Sequence, residues 1–214
     1  MKENCEEKDS EKEVILNDLK EGIEHAVHVS NLAYLLGKEL GESEEMCLEL
    51  ANAGMVHDIG KLRLTSYLYG RAEDSLGIES TKYMRLHSGI GYEILKEYEY
   101  SDFVLETVKY HHENFDGSGY PDNLKGKEIP YGARIVRVCD VFAALTSERP
   151  YRRAFDKDTA MELMAEEFKN FDDLMEKFNS FNFEKEHLLY NIYRNMPVSE
   201  IIHEFLGIDN EIEK

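Results

Sequence analysis

The sequence predicts an all-α protein, a compact helical bundle, and three observations support this fold class. Apolar residues recur three and four positions apart along most of the chain, which places them on one face of a helix. Serine or aspartate stands where several of these patterns begin, and such residues are typical helix N-caps. No segment carries a convincing strand pattern, and no internal repeat is present. Helices are therefore expected to form the core.

The first predicted helix covers residues 18–40 and ends at Gly41, a residue type that is common just after a helix. The residues before it, 1–16, are mainly glutamate and lysine with few apolar side chains, so we expect a mobile acidic leader. Ser43 is followed by two glutamates, which is the pattern of an N-cap and an acidic first turn. A second helix is therefore predicted from Ser43 through Met55.

The middle and the second half of the chain predict further helices. Residues 62–79 are ambiguous because glycines interrupt the pattern, and a short helical piece is expected around Ser66 to Tyr69. A helix is predicted from about Ser80, and the next one is capped by Ser101. Pro130 suits the first turn of the following helix, and Asp156 opens another.

The length of the chain suits one domain with short extensions. A chain of 214 residues can bury one sizeable core. We predict the acidic leader at 1–16, the main domain at 17–170, and a C-terminal extension at 171–214. Two amphipathic patterns in the extension predict helices that pack on the same unit.

Composition narrows the classes of function. The formal net charge of −19 opposes binding to a long nucleic acid, which depends on many lysine and arginine contacts to phosphate. A small phosphorylated ligand is compatible with this charge, because divalent ions held by carboxylates create locally positive sites. The chain has no run of 18 apolar residues, and its first residues are charged rather than those of a signal peptide. We therefore expect a cytoplasmic protein that does not bind membranes.

The stretch 111–121 contains the most unusual local pattern in the chain. His111 and His112 run directly into a glycine-rich loop that ends at Tyr120 and Pro121. Adjacent side chains on a helix point about 100° apart, so two such histidines converge on one ion most easily at a helix end. The alternative is a surface turn after an ordinary helix.

Residues of metal-ligand type recur at the ends and on the faces of the predicted helices. They are Glu24, His28, His57, Asp58, His87, His111, His112 and Asp140. Imidazole and carboxylate without thiolate favour iron, manganese, zinc, cobalt or nickel over a magnesium or calcium site. An adjacent His-Asp pair can serve two bridged ions that share a hydroxide nucleophile, which is how two-metal hydrolysis works. The remaining histidines, His25, His187 and His203, are expected at the surface or in helix packing.

Several motifs occur together and in a fixed order. They are His57-Asp58-Ile59-Gly60-Lys61, His87 with Gly91, His111-His112-Glu113, Asp116-Gly117-Ser118-Gly119-Tyr120-Pro121, Asp140-Val141-Phe142-Ala143-Ala144-Leu145-Thr146 and Arg149-Pro150-Tyr151-Arg152. Over about residues 20–170 the sequence resembles the HD superfamily of metal-dependent phosphohydrolases. Within that superfamily it is similar to HD-GYP domains, which hydrolyse the bacterial second messenger cyclic di-GMP. The domain at 17–170 is therefore expected to be a helical HD-GYP-like bundle around a multinuclear metal site.

The resemblance implies a role for each matching position. The implied metal ligands are His28, His57, Asp58, His87, His111, His112 and Asp140. Asp58 is implied to bridge two ions and, with Lys61, to serve the catalytic step. Glu24 matches a position that, in some members of the family, helps to hold a third ion. The residues implied to contact the ligand's phosphates and bases are Lys61, Tyr120, Arg149 and Arg152. The cofactor is then two or three divalent ions, iron or manganese by preference, with zinc, cobalt or nickel as alternatives.

The function implied by the resemblance is hydrolysis of cyclic di-GMP to linear pGpG, to GMP, or to both, by a metal-bridged hydroxide. One alternative is an HD phosphohydrolase that acts on another cyclic dinucleotide or on a nucleotide. The other is a receptor that binds cyclic di-GMP without turnover and passes the signal to a partner. A homodimer or a signalling partner is left open by the sequence.

Overall fold

The computed structural model describes residues 3–68, 84–148 and 152–168, together with Leu174, Lys177, Phe178 and Ser180. For residues 3–18, 65–68, 166 and 167 only the backbone is described. The α-helices in these ranges are α1 (Glu3–Glu39), α2 (Glu44–Val56), α3 (Ile59–Leu68), α4 (His87–Glu97), α5 (Asp102–Tyr110), α6 (Tyr131–Thr146) and α7 (Lys157–Glu167), with a short 3-10 helix at Gly126–Glu128. The described residues contain no β-strand, which confirms the all-α prediction.

Polar side chains cap three helices where the sequence predicts them. The Ser43 hydroxyl accepts a hydrogen bond from the backbone N–H of Met46 at the start of α2, at 3.2 Å. Ser101 and Asp156 cap α5 and α7 in the same way. Each cap satisfies one of the backbone donors that a helix leaves without a partner in its first turn. Pro130 directly precedes α6, one residue earlier than the predicted first turn.

Two helices begin earlier than the sequence analysis predicts. Helix α1 starts at Glu3, so the backbone of most of the expected leader is helical. Glutamate and lysine are strong helix formers, which allows the helix to continue into this acidic segment. Helix α3 starts at Ile59, directly after the His-Asp pair. Although α1 has 37 residues, no helix in the described ranges is both long and apolar enough to cross a membrane.

Helix α6 lies at the centre of the bundle, where it packs against α1, α2, α5 and α7. The core contains fully buried side chains from these helices, including Leu36, Leu50 and Val138. Burial of each such side chain contributes about 1.5–3 kcal/mol. Phe178 is also fully buried and packs edge-on against Phe142, with ring centroids 5.3 Å apart. Phe178 and Leu174, which lie in the predicted C-terminal extension, are therefore part of this core.

Two glycines allow close helix contacts next to the His-Asp pair. A Cβ on Gly54 would lie 2.9 Å from the Cα of Ser30, so α2 can approach the backbone of α1 only with glycine there. A Cβ on Gly60 would collide with the carbonyl oxygen of His87. The first contact brings the end of α2 against α1, and the second places the start of α3 beside the first residue of α4.

Candidate metal centre

Three buried histidines share one arrangement of the imidazole ring. In each, Nδ1 lies within hydrogen-bond distance of the backbone carbonyl three residues earlier, and the pairs are His57 with Gly54 at 2.7 Å, His87 with Met84 at 2.5 Å, and His111 with Val108 at 2.7 Å. A carbonyl oxygen can only accept, so Nδ1 donates and carries the proton. Nε2 is then the nitrogen with the lone pair. Hydrogen bonding through the other ring nitrogen is how proteins usually orient histidine metal ligands.

The Nε2 atoms of these histidines point at the Asp58 carboxylate, whose two oxygens face different partners. Oδ1 lies 3.2 Å from His87 Nε2 and 3.9 Å from His111 Nε2. Oδ2 lies 3.3 Å from His57 Nε2 and 2.5 Å from Lys61 Nζ. A carboxylate with this division between its oxygens can bridge two cations.

Two sets of ligand atoms result, and they share Asp58. The first, called the His25 group, consists of His25, His57 and Asp58 together with Asp140. The second, called the His112 group, consists of Asp58, His87, His111 and His112. In the second set, and in the first set without Asp140, the ligand atoms all lie within 4.8 Å of one another. Oδ1 of Asp140 lies 2.9 Å from His25 Nε2 and 3.8 Å from His57 Nε2.

The donor atoms themselves fit divalent cations. The buried atoms His57 Nε2 and Asp58 Oδ1 have no hydrogen-bond partner among the described residues. Nε2 of His87 lies 3.3 Å from Nε2 of His111, although both nitrogens carry lone pairs once Nδ1 is protonated. A cation bound between such atoms would satisfy them and relieve their repulsion. Imidazole and carboxylate donors suit iron, manganese and zinc.

The carboxylates of the centre are ionised. Burial alone would raise the pKa of Asp58, but the adjacent His57 and His87 hold this pKa well below its usual range. Burial also opposes ionisation of Asp140, and the hydrogen bond from His25 outweighs it and lowers the pKa. The negative charges that cations need are therefore present.

Burial and neighbouring histidines keep the imidazole rings of His111 and His112 neutral. Burial lowers the pKa of His111 well below its usual range, and the adjacent His112 adds to this effect. Burial lowers the pKa of His112 to about 3. Burial alone would also lower the pKa of His57, but the charges of Asp58 and Asp140 outweigh it and raise the pKa. The same carboxylates would attract a metal cation.

Helix α1 contributes His25 to the centre, where the sequence analysis predicted His28. Among the described residues, neither Glu24 nor His28 belongs to a group of ligand atoms that could hold a metal ion. His25 lies on the same helical stripe as the fully buried Val29 and Leu32, four and seven residues later. That stripe faces the core, so His25 meets α6 at Asp140. His28 is turned about 60° around the helix from His25 and about 4.5 Å along it.

The glycine loop is held against the histidine pair by a buried glutamate. Glu113 is 1% exposed, and its carboxylate accepts hydrogen bonds from the backbone N–H of Asp122, at 2.7 Å, and of Leu124, at 3.1 Å. The Tyr120 ring stacks on His112, with centroids 4.8 Å apart and planes 23° apart. Glu113 therefore positions the loop that places Tyr120 beside the metal centre, a role that the sequence analysis did not assign.

The residues predicted to contact the ligand are placed unequally. Lys61 lies at the centre through its contact with Asp58, and Tyr120 lies beside His112. Burial raises the pKa of Tyr120, so its hydroxyl stays protonated and can donate a hydrogen bond. Arg149 lies outside the described residues.

Arg152, predicted to contact the ligand, has backbone carbonyls as its hydrogen-bond partners. Its guanidinium donates hydrogen bonds to the carbonyl oxygens of Ala144, Leu145 and Arg153. Its Cζ also lies 4.5 Å from the centroid of the Phe155 ring. Two of these carbonyls belong to the last turn of α6, which leaves carbonyls without helical partners. The structure therefore places Arg152 at the C-terminal end of α6, where it satisfies backbone acceptors.

Two arginines near the site have no role in the sequence analysis. Nη1 of Arg137 lies 3.5 Å from Nδ1 of His112, and Nη2 of Arg137 donates to Asn114 at 3.3 Å. Cζ of Arg85 lies 5.4 Å from the centroid of the Tyr120 ring. Arg137 precedes Asp140 by three residues, and this helical spacing was the available signal that both face the same side of α6.

Comparison with known proteins identifies related sequences and folds. The family model of the HD domain matches residues 9–174. The cyclic di-GMP phosphodiesterase response regulator RpfG of Xanthomonas campestris is 38% identical over 139 residues, which are 62% of this chain and 35% of that protein. The 3'3'-cGAMP-specific phosphodiesterase 1 of Vibrio cholerae is 36% identical over 146 residues, 67% of this chain and 33% of that protein. This chain therefore spans about a third of the length of these relatives.

Solved structures with low sequence identity share the fold. The cyclic GMP-AMP specific phosphodiesterase V-cGAP3 of V. cholerae aligns with a TM-score of 0.55 at 16% identity, covering 86% of this chain and 48% of that one. The HD domain of the L. monocytogenes phosphodiesterase PgpH, in complex with cyclic-di-AMP, aligns with a TM-score of 0.51 at 18% identity. That alignment covers 90% of this chain and 93% of the other.

Proposed function

The chain belongs to the HD domain family, and we propose that it is a metal-dependent phosphodiesterase that hydrolyses a cyclic dinucleotide, with cyclic di-GMP as the first candidate. The observation that carries this proposal is the convergence of buried Nε2 atoms on the two oxygens of Asp58. Such a site favours a pair of cations that share one carboxylate. The names of the relatives, which include cyclic di-GMP and 3'3'-cGAMP phosphodiesterases, support a cyclic dinucleotide as substrate.

The two ligand groups would each hold one divalent ion. Iron or manganese is proposed because the donors are imidazole and carboxylate without thiolate. When bound, such ions supply Lewis-acid polarisation of a phosphoryl oxygen and lower the pKa of a bound water.

Residues of the chain itself would orient the substrate. The Lys61 ammonium group, beside Asp58, brings positive charge to the place where negative charge would develop on the phosphodiester. The protonated Tyr120 hydroxyl could donate to a phosphate oxygen from its position beside His112. Hydrolysis adds water across one P–O ester bond, which opens the ring to the linear dinucleotide. A second hydrolysis yields mononucleotides.

A second substrate is favoured by the comparisons. The relatives include 3'3'-cGAMP-specific phosphodiesterases of V. cholerae, at 33–36% identity. Metal ions recognise phosphoryl groups and not bases, so the centre alone does not choose between cyclic dinucleotides. A metal-bearing receptor that binds without turnover and signals to a partner or as a homodimer is the non-enzymatic alternative.

Turnover by the purified, metal-loaded chain tests the proposal. The protein is prepared under anaerobic conditions with iron or manganese, its metal content is measured, and cyclic di-GMP, 3'3'-cGAMP and cyclic-di-AMP are offered separately. Chromatography of the products should show the linear dinucleotide or mononucleotides from cyclic di-GMP. Cleavage of another of the three alone would change the substrate. Tight binding without product would favour the receptor, and neither binding nor product would overturn the proposal.

A further inference from the structure

The His112 ring is held differently from those of His57, His87 and His111. Their Nδ1 atoms face backbone carbonyls, whereas Nδ1 of His112 faces the guanidinium of Arg137 at 3.5 Å. A guanidinium can only donate, so Nδ1 of His112 must accept in this contact. A neutral His112 then carries its proton on Nε2. This nitrogen lies 3.1 Å from Nε2 of His87, toward which it can donate.

This contact makes His112 a weaker metal ligand than His57, His87 and His111. His25 also carries its proton on Nε2, which donates to Asp140 at 2.9 Å, so the two groups differ through the charge of Arg137 and not through the tautomer alone. A carbonyl or carboxylate partner raises the basicity of a histidine ligand and leaves the lone pair on the nitrogen that faces the metal. The Arg137 guanidinium withdraws electron density from the ring and favours the proton on the nitrogen that faces His87. It also places a permanent positive charge against one member of the His112 group.

The surrounding charges also favour cation binding at the His25 group over the His112 group. Among the described residues, Asp140 gives the His25 group a second carboxylate, whereas the ligand atoms of the His112 group include only the shared carboxylate of Asp58. The charge of Asp140 also acts on His112 and opposes that of Arg137, but Asp140 itself lies against His25. The Lys61 ammonium contacts Asp58, so its charge acts on both groups. Arg137 contacts His112, which belongs to one group alone.

We propose that Arg137 is a positioning residue that makes the two ends of the metal centre unequal, by weakening cation binding at the His112 group relative to the His25 group. The His25 group then fills first, and the His112 group fills at a higher metal concentration. The state with both groups filled would therefore depend on metal supply. The inference rests on the metal centre of the proposed function but not on turnover.

The first test uses the metal-free wild-type chain. With the protein labelled with ¹⁵N at histidine, long-range ¹H–¹⁵N spectra distinguish the two imidazole tautomers. His57, His87 and His111 should carry the proton on Nδ1, and His112 should carry it on Nε2. A wild-type His112 with its proton on Nδ1 would overturn the proposal, and this measurement needs no variant to fold.

The second test is a calorimetric titration of the metal-free chain with Mn²⁺ alone. The wild type should show two classes of site with affinities at least about tenfold apart. Arg137→Met should tighten the weaker class by at least about tenfold and leave the tighter class in place. Arg137→Lys keeps the charge and should resemble the wild type.

Arg134→Met is the matched control, since Arg134 lies one turn earlier on α6 with its guanidinium 5.5 Å from the Tyr131 ring. It makes the same change in net charge and should leave both classes unchanged. A single class in the wild type, equal tightening of both classes in Arg137→Met, or the same tightening in Arg134→Met would refute the proposal. Neither test contains a dinucleotide, so failure of the phosphodiesterase assignment could not produce any of these results.

Discussion

The two ligand groups share Asp58 but are assembled in different ways. The His112 group comes from the start of α4 and the end of α5, where His87 and His111 are fixed by backbone carbonyls of their own segments. The His25 group depends on the packing of α1 against α6, which brings His25 to Asp140 across 115 residues of sequence. One group therefore rests largely on local helix ends, and the other on contacts between distant helices. Substitutions can test separately the group that rests on local helix ends and the group that rests on contacts between distant helices.

Loss of the shared carboxylate should have the largest effect, because it removes a ligand from both groups at once. Asp58→Ala should lower the metal content from about two ions per chain toward zero and reduce hydrolysis to background. Metal analysis and product chromatography measure the two effects. Circular dichroism checks that the variant is folded, and full metal content with full activity would contradict a shared Asp58.

Loss of His25 should damage one group and spare the other. His25→Ala is expected to weaken binding of one ion by at least about tenfold and leave the second ion bound. Mn²⁺ titration of the metal-free protein measures this.

His28→Ala and Glu24→Gln are matched controls on the same helix, and both should leave the number of bound ions unchanged. A loss of one ion in either control, with His25→Ala unaffected, would return the role to the residues that the sequence analysis predicted.

Glu113→Gln should loosen the loop that borders the His112 group. The charged carboxylate accepts two backbone hydrogen bonds in a buried position, and its neutral replacement should cost about 1.5–3 kcal/mol of unfolding free energy. Urea unfolding of the metal-free protein gives this value. Turnover should fall while metal binding at the His25 group persists, whereas unchanged stability would show that the loop does not depend on Glu113.

Arg152→Ala should have the smallest effect. The guanidinium satisfies carbonyls at the end of α6, so its loss should cost about 1 kcal/mol of stability with metal content intact. Thermal unfolding measures the contribution of Arg152 to stability, and the KM for the dinucleotide measures its predicted contact with the phosphate. A large rise in KM at unchanged stability would support the phosphate contact that the sequence analysis predicted.

The sequence alone determined the features that depend on neighbouring residues. The caps at Ser43, Ser101 and Asp156 were predictable because an N-cap needs only a short polar side chain beside the first free N–H groups. The His-Asp pair and the adjacent histidines were recognisable because their residue types and spacing are themselves the signal for metal binding. Family resemblance then linked these motifs into one expected site.

Tertiary structure decided which side chains meet. His25 and His28 stand three apart on α1, about 60° around the helix, and both are next to apolar residues, so periodicity could not choose between them. Packing of α1 on α6 made the choice, because it brings Asp140 to His25. Arg152 and Arg137 show the same limit: each cation's role depends on the acceptors it meets, carbonyls at the end of α6 for Arg152 and the His112 ring for Arg137. Those acceptors come together only when the helices pack.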